Sequence, residues 1–385
     1  MYKHDQRIVL TLDAGGTNFV FSAIRECKEI VTPVCLPAAS DNLDKCLSAL
    51  LKGFSLVKDQ LEDTPVAISF AFPGPADYKN GIIGDLPNFP AFRGGIALGP
   101  YLEEKFKIPV FINNDGNLFA YGEALAGALP AINEKLAAAG SPKRYKNLLG
   151  ITLGTGFGAG VVIDNRLLTG DNGCGGDVWI MRNKKYPGLI AEESVSIRAV
   201  RRVYTELSGE DASKLTPKDI YDIAEGLHSG NREAAVRSFE ELGEMAGAAI
   251  TQALHIVDGL VVIGGGIAGA AKYILPGIMR EMKQSVSTFA GQEFPCLQMD
   301  VCNLEDANDY RRFMENRAVH IQVPSTDKKV LYDCNKRIGV IVSSLGANKA
   351  IALGAYTFAL QQIDAASLIQ SVSYTHLRAH ETSAH

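Results

Sequence analysis

The sequence contains no hydrophobic run long enough to cross a membrane. No stretch approaches the ~18 consecutive apolar residues that indicate a membrane-spanning helix. The first residues, MYKHDQRIVLTLDAGG, also lack the apolar core and cleavage site of a signal peptide. We therefore expect a chain that is not exported and has no membrane partner.

Paired cysteine motifs are absent as well. The seven cysteines include no C-x-x-C pair. Disulfides persist in oxidising compartments, so an odd number of cysteines without an export signal is typical of reduced thiols. We predict a cytoplasmic protein without a disulfide framework.

The chain has no excess of positive charge. Its 43 acidic residues outnumber its 38 basic residues, which gives a net charge of −5. Nucleic acids and anionic membranes attract clustered positive charge, so this balance disfavours both partners. Apolar residues make up 46% of the 385 residues and charged residues 21%, which excludes a disordered chain. The length fits two domains of roughly 150 residues each.

Glycine, in contrast, is abundant, and two glycine turns lie between strand-like runs. The first, Asp13–Asn18, separates Arg7–Leu12 from Phe19–Ile24, and the second, Gly154-Thr155-Gly156, follows Leu148–Leu153. The string TLDAGGTNFVF of the first half aligns with TLGTGFGAGVV of the second. We predict a duplicated α/β domain with one hairpin per half, although strings of this kind also recur by coincidence.

The composition of both turns suits a phosphate ligand. Main-chain N–H groups can approach a phosphate closely only where side chains are small or absent, as at Gly15, Gly16 and Gly154. The Thr17 hydroxyl adds a donor, and the Asp13 carboxylate suits Mg²⁺ on the phosphates. Either turn alone is better explained as a tight turn without a ligand. Their recurrence favours phosphate.

A third glycine turn, GGGIAG at Gly264–Gly269, formally matches the dinucleotide fingerprint G-x-G-x-x-G. The residue about twenty positions further on is Gln284 rather than the acid that would bind a ribose. NAD is therefore the weaker interpretation, and a nucleoside packed against the turn remains open. No G-x-x-x-x-G-K-[ST] motif occurs, which excludes a P-loop.

A polar cluster, Asn113-Asn114-Asp115-Gly116-Asn117, ends the predicted strand Val110–Asn113 and opens a predicted helix. The start of a helix favours the ionised form of a carboxylate such as Asp115. Helix capping is the alternative, but one residue is enough for a cap. A cluster this polar between apolar runs is costly unless it serves a ligand.

Five segments together resemble a known family. In chain order they are LDAGGTNFVFSAI, INNDGNLFAYGEALAG, LGTGFGAGVVIDNRLLTGDNGCGGD, VVIGGGIAG and ANKAIALGAYTFAL. They resemble the ROK sugar kinases, glucokinase-like enzymes and N-acetylhexosamine kinases of the actin/hexokinase/Hsp70 ATPase fold. The resemblance implies a duplicated ribonuclease H-like α/β fold with two lobes and a cleft between them. We expect an N-terminal lobe of 1–114 joined by a closing helix at 348–362, and a C-terminal lobe of 115–347 with an elaboration at about 287–336.

The resemblance implies phosphorylation of a hexose or N-acetylhexosamine, usually at the 6-hydroxyl, with ATP and Mg²⁺ as cofactors. Asp115 would be the general base, and Asp13 would contact Mg²⁺ directly or through water. Implied sugar-binding residues are Asn88, Asn114, Asp177 and Glu192, and implied nucleotide-binding residues are Gly15, Gly16, Thr17, Gly154, Thr155, Gly156, Gly265 and Gly266. The family also implies a homodimer, which no residue here demonstrates.

The stretch after the second turn departs from the family pattern. Gly175–Ile180 stands where the family has A-G-E-x-G-H, so Asp177 replaces a glutamate and Ile180 a histidine. The family's zinc-binding cysteines are missing from residues 181–191, and we predict no structural zinc. Glu192 best matches the second sugar-binding glutamate, with Glu193 as its rival. Trp179, the single tryptophan, either stacks on a sugar or belongs to the core.

These departures support an alternative function, a catalytically weak sugar-sensing or regulatory protein. Repressors of the family carry an N-terminal helix-turn-helix, for which the strand near Arg7 leaves no room. The last residues, 371–385, resemble read-through from a cloning vector, and we predict that this tail is not native.

Overall fold

The computed structural model describes residues 2–74, 76–84 and 90–382, with side chains up to Leu368. It contains two compact units. Unit 1 comprises Met1–Leu118 with Ile351–His385, and unit 2 comprises Phe119–Ala350. The predicted lobe boundaries, after residues 114 and 347, lie a few residues before the boundaries of these units.

The described residues of unit 1 form a central sheet, a small sheet and α-helices from both ends of the chain. The strands are β1 (Val9–Ala14), β2 (Asn18–Arg25), β3 (Lys28–Glu29), β4 (Val34–Pro37), β5 (Ala67–Ala71), β6 (Ala76–Asp77), β7 (Ile82–Ile83), β8 (Ile96–Ala97) and β9 (Val110–Asn113). The helices are α1 (Leu43–Lys58), α2 (Leu98–Phe106) and the first turn of α3 (Asp115–Leu125). The end of the chain adds a further helix, named below.

The central sheet of unit 1 has the order β3-β2-β1-β5-β9, with β4 also paired to β2. β1 and β2 form an antiparallel hairpin, whereas β5 and β9 continue the sheet in parallel. Helix α1 packs so closely on the sheet that a Cβ on Gly53 would lie 2.1 Å from the ring of Phe21. This ring belongs to a buried aromatic cluster with Phe54 and Phe70.

Unit 2 continues α3 and ends where the last helix begins. Its strands are β10 (Leu148–Leu153), β11 (Phe157–Ile163), β12 (Arg166–Leu167), β13 (Leu260–Gly264), β14 (Ser285–Ser287), β15 (Glu293–Pro295), β16 (Asp300–Asn303), β17 (Val319–Gln322), β18 (Lys329–Tyr332) and β19 (Arg337–Val342). Its helices are α4 (Ala128–Ala138), α5 (Ile197–Ser208), α6 (Pro217–Glu225), α7 (Arg232–Val257), α8 (Ala271–Met282) and α9 (Ala307–Met314). Helix α10 (Ala347–Thr382) then returns to unit 1.

The sheet of unit 2 repeats the arrangement of unit 1. Its order is β12-β11-β10-β13-β19-β16, with an antiparallel β10–β11 hairpin and parallel pairing from β10 onward to β13, β19 and β16. In both sheets, therefore, a short edge strand pairs with the second strand of a hairpin. On the other side, the first strand of the hairpin pairs with a parallel strand. Each hairpin contains one of the two predicted glycine turns.

Two predicted elements are broken in the structure. The sequence of Ile30–Leu36 predicts a third strand, but this strand begins only at Val34, after Pro33, which has no N–H to donate. The sequence also predicts a helix from Asn117 to about Leu129, but the helix begins at Asp115, ends at Leu125 and is followed by α4. At this break the carboxylate of Glu123 accepts a hydrogen bond from the Ala128 amide at 2.8 Å.

The elaboration at about 287–336 belongs to unit 2. The sequence predicts a strand near Cys296–Val301, but the strand lies later, as β16, and forms the edge of the sheet beside β19. The sequence predicts a second strand near Val319–Val323, and β17 lies there and forms an exposed hairpin with β18. Among the described residues, no helix is both long and apolar enough to cross a bilayer.

Candidate active site

The first glycine turn joins β1 to β2. A Cβ on Gly15 would lie 2.8 Å from the main-chain oxygen of Asn18, so a larger residue does not fit here. A Cβ on Gly16 would meet no atom within 4 Å, which leaves open space beside it. The Thr17 carbonyl accepts a hydrogen bond from the Ala38 amide at 2.9 Å and anchors the turn.

Asp13 lies at the end of β1, just before this turn. It pairs with Val20 of β2 and with Ala71 of the parallel strand β5. Its side chain retains contact with solvent, yet partial removal from water raises the pKa of the carboxyl. A nearby cation would offset this effect by favouring the charged form.

A network of asparagines supports the start of α3 in unit 1. Asn113 is 2% exposed, and its side-chain oxygen accepts hydrogen bonds from the Asn114 amide and from the Asn117 side chain, both at 2.9 Å. The Asn114 side-chain oxygen in turn accepts from the Asn117 amide at 2.6 Å. Part of the polar cluster therefore caps the helix, as the capping alternative anticipated.

Asp115 is the first residue of α3 and is exposed. One carboxylate oxygen, Oδ1, accepts a hydrogen bond from the Gly116 amide at 2.9 Å. The carboxylate thus lies at the N-terminal end of a helix, beside main-chain N–H groups that have no partner within the helix. The position suits an acceptor of protons from a ligand in solvent-accessible space.

The second glycine turn joins β10 to β11. The Gly154 amide donates to the Gly156 carbonyl at 3.1 Å, and the Gly154 carbonyl accepts from the Ile197 amide at 3.0 Å. A Cβ on Gly154 would meet no atom within 4 Å, and Thr155 is exposed. The turn is thus anchored to the start of α5 while one side stays open.

Glu192 lies directly against this second turn. Its Oε2 atom accepts a hydrogen bond from the Phe157 amide at 3.0 Å, and a Cβ on Gly156 would lie 2.6 Å from the same oxygen. Its Oε1 atom accepts from Arg198 at 2.9 Å. Glu193, the rival residue, contacts Arg198 at 2.8 Å and is more exposed. The structure therefore brings Glu192 to the turn.

The third glycine turn lies beside the second one. β13 runs parallel to β10 and pairs Gly264 with Thr152, so the two turns follow neighbouring strand ends. Gly265 has φ +92°, and a Cβ there would lie 2.3 Å from the Leu153 carbonyl oxygen. A Cβ on Gly266 would meet nothing within 4 Å. Only glycine, which has no side chain, permits this close contact between neighbouring strands.

Comparison with known proteins identifies the family. The profile of the ROK family matches residues 9–308. This chain belongs to the ROK family. The family and the actin-like fold class predicted from the sequence are thereby confirmed.

Three relatives illustrate the range of ROK proteins that the chain resembles. A crystal structure of glucokinase from Parabacteroides distasonis is 62% identical, with a TM-score of 0.86, over 94% of this chain and 99% of that one. Glucokinase of Thermotoga maritima is 29% identical over 71% of this chain and 86% of its own. N-acetyl-D-glucosamine kinase of Photobacterium profundum is 27% identical over 66% and 83%. These names favour the enzyme over the regulatory alternative.

The turns of this ROK chain fit a nucleotide. The open space beside Gly16, Gly154 and Gly266 is space that a phosphate or nucleoside could fill and a side chain would block. Magnesium is commonly held by one or two carboxylates together with substrate phosphates, and Asp13 supplies one. The described residues contain no cluster of three or more His, Cys, Asp or Glu able to hold a metal by themselves.

The altered stretch of the ROK pattern is a surface feature. Asp177 is exposed and precedes the 3-10 helix Val178–Ile180, in which Trp179 is 38% exposed. The alternative that Trp179 belongs to the core is therefore wrong. This short helix packs against the 3-10 helix Ala191–Glu193, which carries Glu192. Residues 181–194, which comprise the connection between the two short helices together with the second helix and Ser194, are called the glutamate loop below.

The predicted and the described site residues differ at two positions. Asn88, predicted to bind sugar, lies outside the described residues. Arg198, which contacts both glutamates, was not predicted. Its signal in the sequence is a basic residue at the start of a helix six positions after Glu192, which is too common to point to a site.

Proposed function

We propose that this chain is an ATP-dependent kinase that phosphorylates glucose or a closely related hexose or N-acetylhexosamine at the 6-hydroxyl. The observation that carries the proposal is the exposed carboxylate of Asp115 at the start of α3, supported by a buried asparagine network. The 62% identity to a glucokinase over 94% of the chain supports glucose as the first substrate to test.

Asp115 is the proposed general base. A sugar hydroxyl loses its proton as its oxygen attacks the γ-phosphoryl group, and an ionised carboxylate within hydrogen-bond reach accepts that proton. Oδ1 is oriented by the Gly116 amide, and the carboxylate keeps solvent access through which a substrate can approach. The side-chain amide of Asn114, whose oxygen caps α3, still has donors for a sugar hydroxyl.

The glycine turns are the proposed phosphate and nucleoside sites. Gly16 in unit 1 and Gly154 in unit 2 lie beside open space. Gly15 and Thr17, and Thr155 and Gly156, complete the two proposed phosphate turns. Gly265 and Gly266 would lie beside the adenosine. Asp13 would hold Mg²⁺, directly or through water, and the bound ion would reduce the negative charge of the phosphates.

The remaining sugar contacts are proposed for Asp177, Glu192 and Asn88. Glu192 is the best supported by the structure, because its carboxylate is fixed by the Phe157 amide and Arg198. Asp177 is exposed next to the same pair of short helices. Its shorter side chain, in place of the family's glutamate, is expected to affect which sugar is accepted more than the reaction itself.

An ADP-release assay over a panel of hexoses and N-acetylhexosamines tests this function. We expect ATP- and Mg²⁺-dependent turnover with at least one sugar, and a loss of about 100-fold or more in kcat for Asp115→Asn. Asp44→Asn is the matched control, because Asp44 is another exposed acid in the first turn of a unit 1 helix.

Two results would contradict the proposal. The first is the absence of turnover with every sugar, and the second is an Asp115→Asn rate within about tenfold of wild type. Quenching of Trp179 fluorescence by a sugar, without phosphate transfer, would instead support the regulatory alternative. A homodimer and a cytoplasmic location remain predictions.

A further inference from the structure

The glutamate loop closes on itself just before Glu192. The carbonyl of Met181 accepts a hydrogen bond from the Ala191 amide at 2.8 Å, and an antiparallel bridge joins Arg182 to Ile190. The two ends of the loop are therefore hydrogen-bonded to each other. Whatever fixes its interior also fixes the short helix that carries the glutamate.

Asn183 occupies the interior of this loop and is 1% exposed. Its Nδ2 atom donates to the Ile190 carbonyl at 3.2 Å and to the Ser194 hydroxyl at 2.8 Å. Its Oδ1 atom accepts from the amides of Lys185 and Tyr186, both at 3.0 Å. An asparagine amide has two donor hydrogens and two acceptor sites, so all four are used.

These bonds reach both flanks of Glu192. Ile190 precedes it by two residues, and Ser194 follows it by two and is itself 2% exposed. A further contact, from the Ser196 hydroxyl to the Glu192 carbonyl at 2.9 Å, holds the same segment to the start of α5. The backbone of Glu192 is thus held in place from the loop side by Asn183.

We propose that Asn183 is a positioning residue for the sugar subsite: its amide holds the backbone on both sides of Glu192 and so fixes where that carboxylate meets the substrate. The proposal rests on the proposed function for the role of Glu192. We expect a smaller effect on the ATP turn, because Glu192 contacts that turn through the Phe157 amide while Gly154 is also anchored by the Ile197 amide.

Trp179 reports on this region without labelling. It is the single tryptophan of the chain, and its 3-10 helix leads directly into Met181, whose amide donates to the Val178 carbonyl at 3.1 Å. Its partial exposure makes its emission sensitive to movement of the loop. Fluorescence therefore measures the loop independently of any catalytic assay.

The decisive variant is Asn183→Asp. A carboxylate keeps the acceptors for Lys185 and Tyr186 but cannot donate to the Ile190 carbonyl, so the bond two residues before Glu192 is lost, whereas the bond to Ser194 persists only if that hydroxyl donates to the new carboxylate. Ser194→Ala removes one of these bonds and serves as a milder second variant. Asn133→Ala is the structural control, because Asn133 makes two hydrogen bonds to the main chain of Tyr145 in the same unit.

Each variant is assayed for kcat and for the KM of both substrates, and its Trp179 emission is recorded well below its melting temperature. We expect Asn183→Asp to raise the sugar KM about tenfold, as for the loss of one or two buried hydrogen bonds. We expect its KM for ATP to rise by a smaller factor and its Trp179 emission to shift. Ser194→Ala should follow in the same direction, and Asn133→Ala should change neither the KM ratio nor the emission.

The results separate the two proposals. A folded Asn183→Asp variant with an unchanged sugar KM, or with KM values for sugar and ATP raised equally, overturns the positioning role alone. An equal change in Asn133→Ala also overturns it, since any loss of stability would then have the same effect. A wild-type protein that phosphorylates no sugar overturns the proposed function itself.

Discussion

Glu192 accepts a hydrogen bond from the main-chain amide of Phe157 at 3.0 Å, and this contact joins a glutamate proposed for the sugar to a turn proposed for phosphate. The two residues are 35 positions apart in the chain. The same carboxylate leaves no space for a side chain at position 156, so Glu192 can take this position only beside a glycine.

The first prediction concerns the choice between Glu192 and Glu193. Loss of a hydrogen bond to a charged group costs about 1.5–3 kcal/mol. We expect Glu192→Gln to raise the sugar KM by about 10- to 100-fold, because its amide cannot accept from both Phe157 and Arg198 as the carboxylate does. Steady-state kinetics with Glu193→Gln as control would contradict the assignment if the control were the more severely affected.

The second prediction separates two glycines of the third turn. Gly265→Ala combines a φ of +92° with a contact of 2.3 Å to the Leu153 carbonyl oxygen, so we expect it to destabilise unit 2 by more than about 1 kcal/mol. Gly266→Ala meets no atom, so we expect its stability to stay within about 0.5 kcal/mol of wild type.

We expect ATP binding to be affected by Gly266→Ala, the substitution that leaves stability nearly unchanged. At Gly266 the new methyl group enters the space proposed for the nucleoside, and we expect the KM for ATP to rise by roughly tenfold, equivalent to about 1.4 kcal/mol. Denaturant unfolding and ATP kinetics measure the two effects. An unchanged KM for ATP in Gly266→Ala would place the nucleoside elsewhere.

The sequence predicted the features that depend on local pattern. The hairpins followed from alternating runs around glycine turns, and β9 and β10 have the predicted bounds because both are short apolar runs closed by polar or glycine residues. The polar cluster at Asn113–Asn117 stood out against its apolar flanks. Gly265 was named only through the family resemblance, as a residue beside the adenosine, and its close contact with Leu153 is known only from the structure.

Other features depend on contacts between distant residues and left no local signal. Asn183 is one polar residue in a polar stretch, and its importance lies in bonds to residues 190 and 194. The end of α3 was missed because the apolar pattern continues past Gly127, whereas the break is stabilised by the buried carboxylate of Glu123. Neither contact has a fixed spacing from which it could be predicted.

The third prediction concerns Arg337, whose side chain has no solvent exposure. It forms an ion pair with Asp333 at 3.0 Å and donates to four further oxygens, those of Phe313, Asn335, Ser141 and Glu315. Its removal would take a charged donor from each of these acceptors and from the Asp333 carboxylate, which would keep a bond from the Asn335 amide.

We therefore expect Arg337→Met to lower the free energy of unfolding of unit 2 by about 3–5 kcal/mol. Arg317→Met is the control, since Arg317 forms an exposed ion pair with Glu315 and its loss should cost at most about 1 kcal/mol. Urea denaturation measures both. Equal losses of stability in the two variants would mean that the stability of unit 2 does not depend on this buried cation.

The fourth prediction concerns pH. Burial raises the pKa of the Glu123 carboxyl, and hydrogen bonds from Ser343 and Ala128 offset this only in part. Between its pKa in the unfolded chain and the higher value in the folded protein, the folded state binds more protons. The free energy of unfolding therefore falls as the pH rises through that interval.

Glu123→Gln cannot titrate, so its stability relative to wild type should increase as the pH rises through the same interval. Urea unfolding at a series of pH values from acidic to neutral measures this difference. Glu134→Gln, an exposed position on α4, is the control and should leave the pH dependence unchanged. If the difference in the free energy of unfolding between Glu123→Gln and wild type stayed constant with pH, folding would not raise the pKa of Glu123.

The last prediction is that the protein folds and works without structural zinc. Structural zinc sites need four ligands, usually cysteine or histidine, and residues 181–191 have none. In the part of the chain that the structure describes, the glutamate loop is instead held by the buried amide of Asn183.

Elemental analysis of the purified protein should therefore find substoichiometric zinc. A zinc-selective chelator added with excess Mg²⁺ should leave the melting temperature and the kinase rate unchanged, while removal of Mg²⁺ should abolish the rate until Mg²⁺ is restored. One zinc ion per chain, with a melting temperature that falls when it is removed, would contradict this prediction.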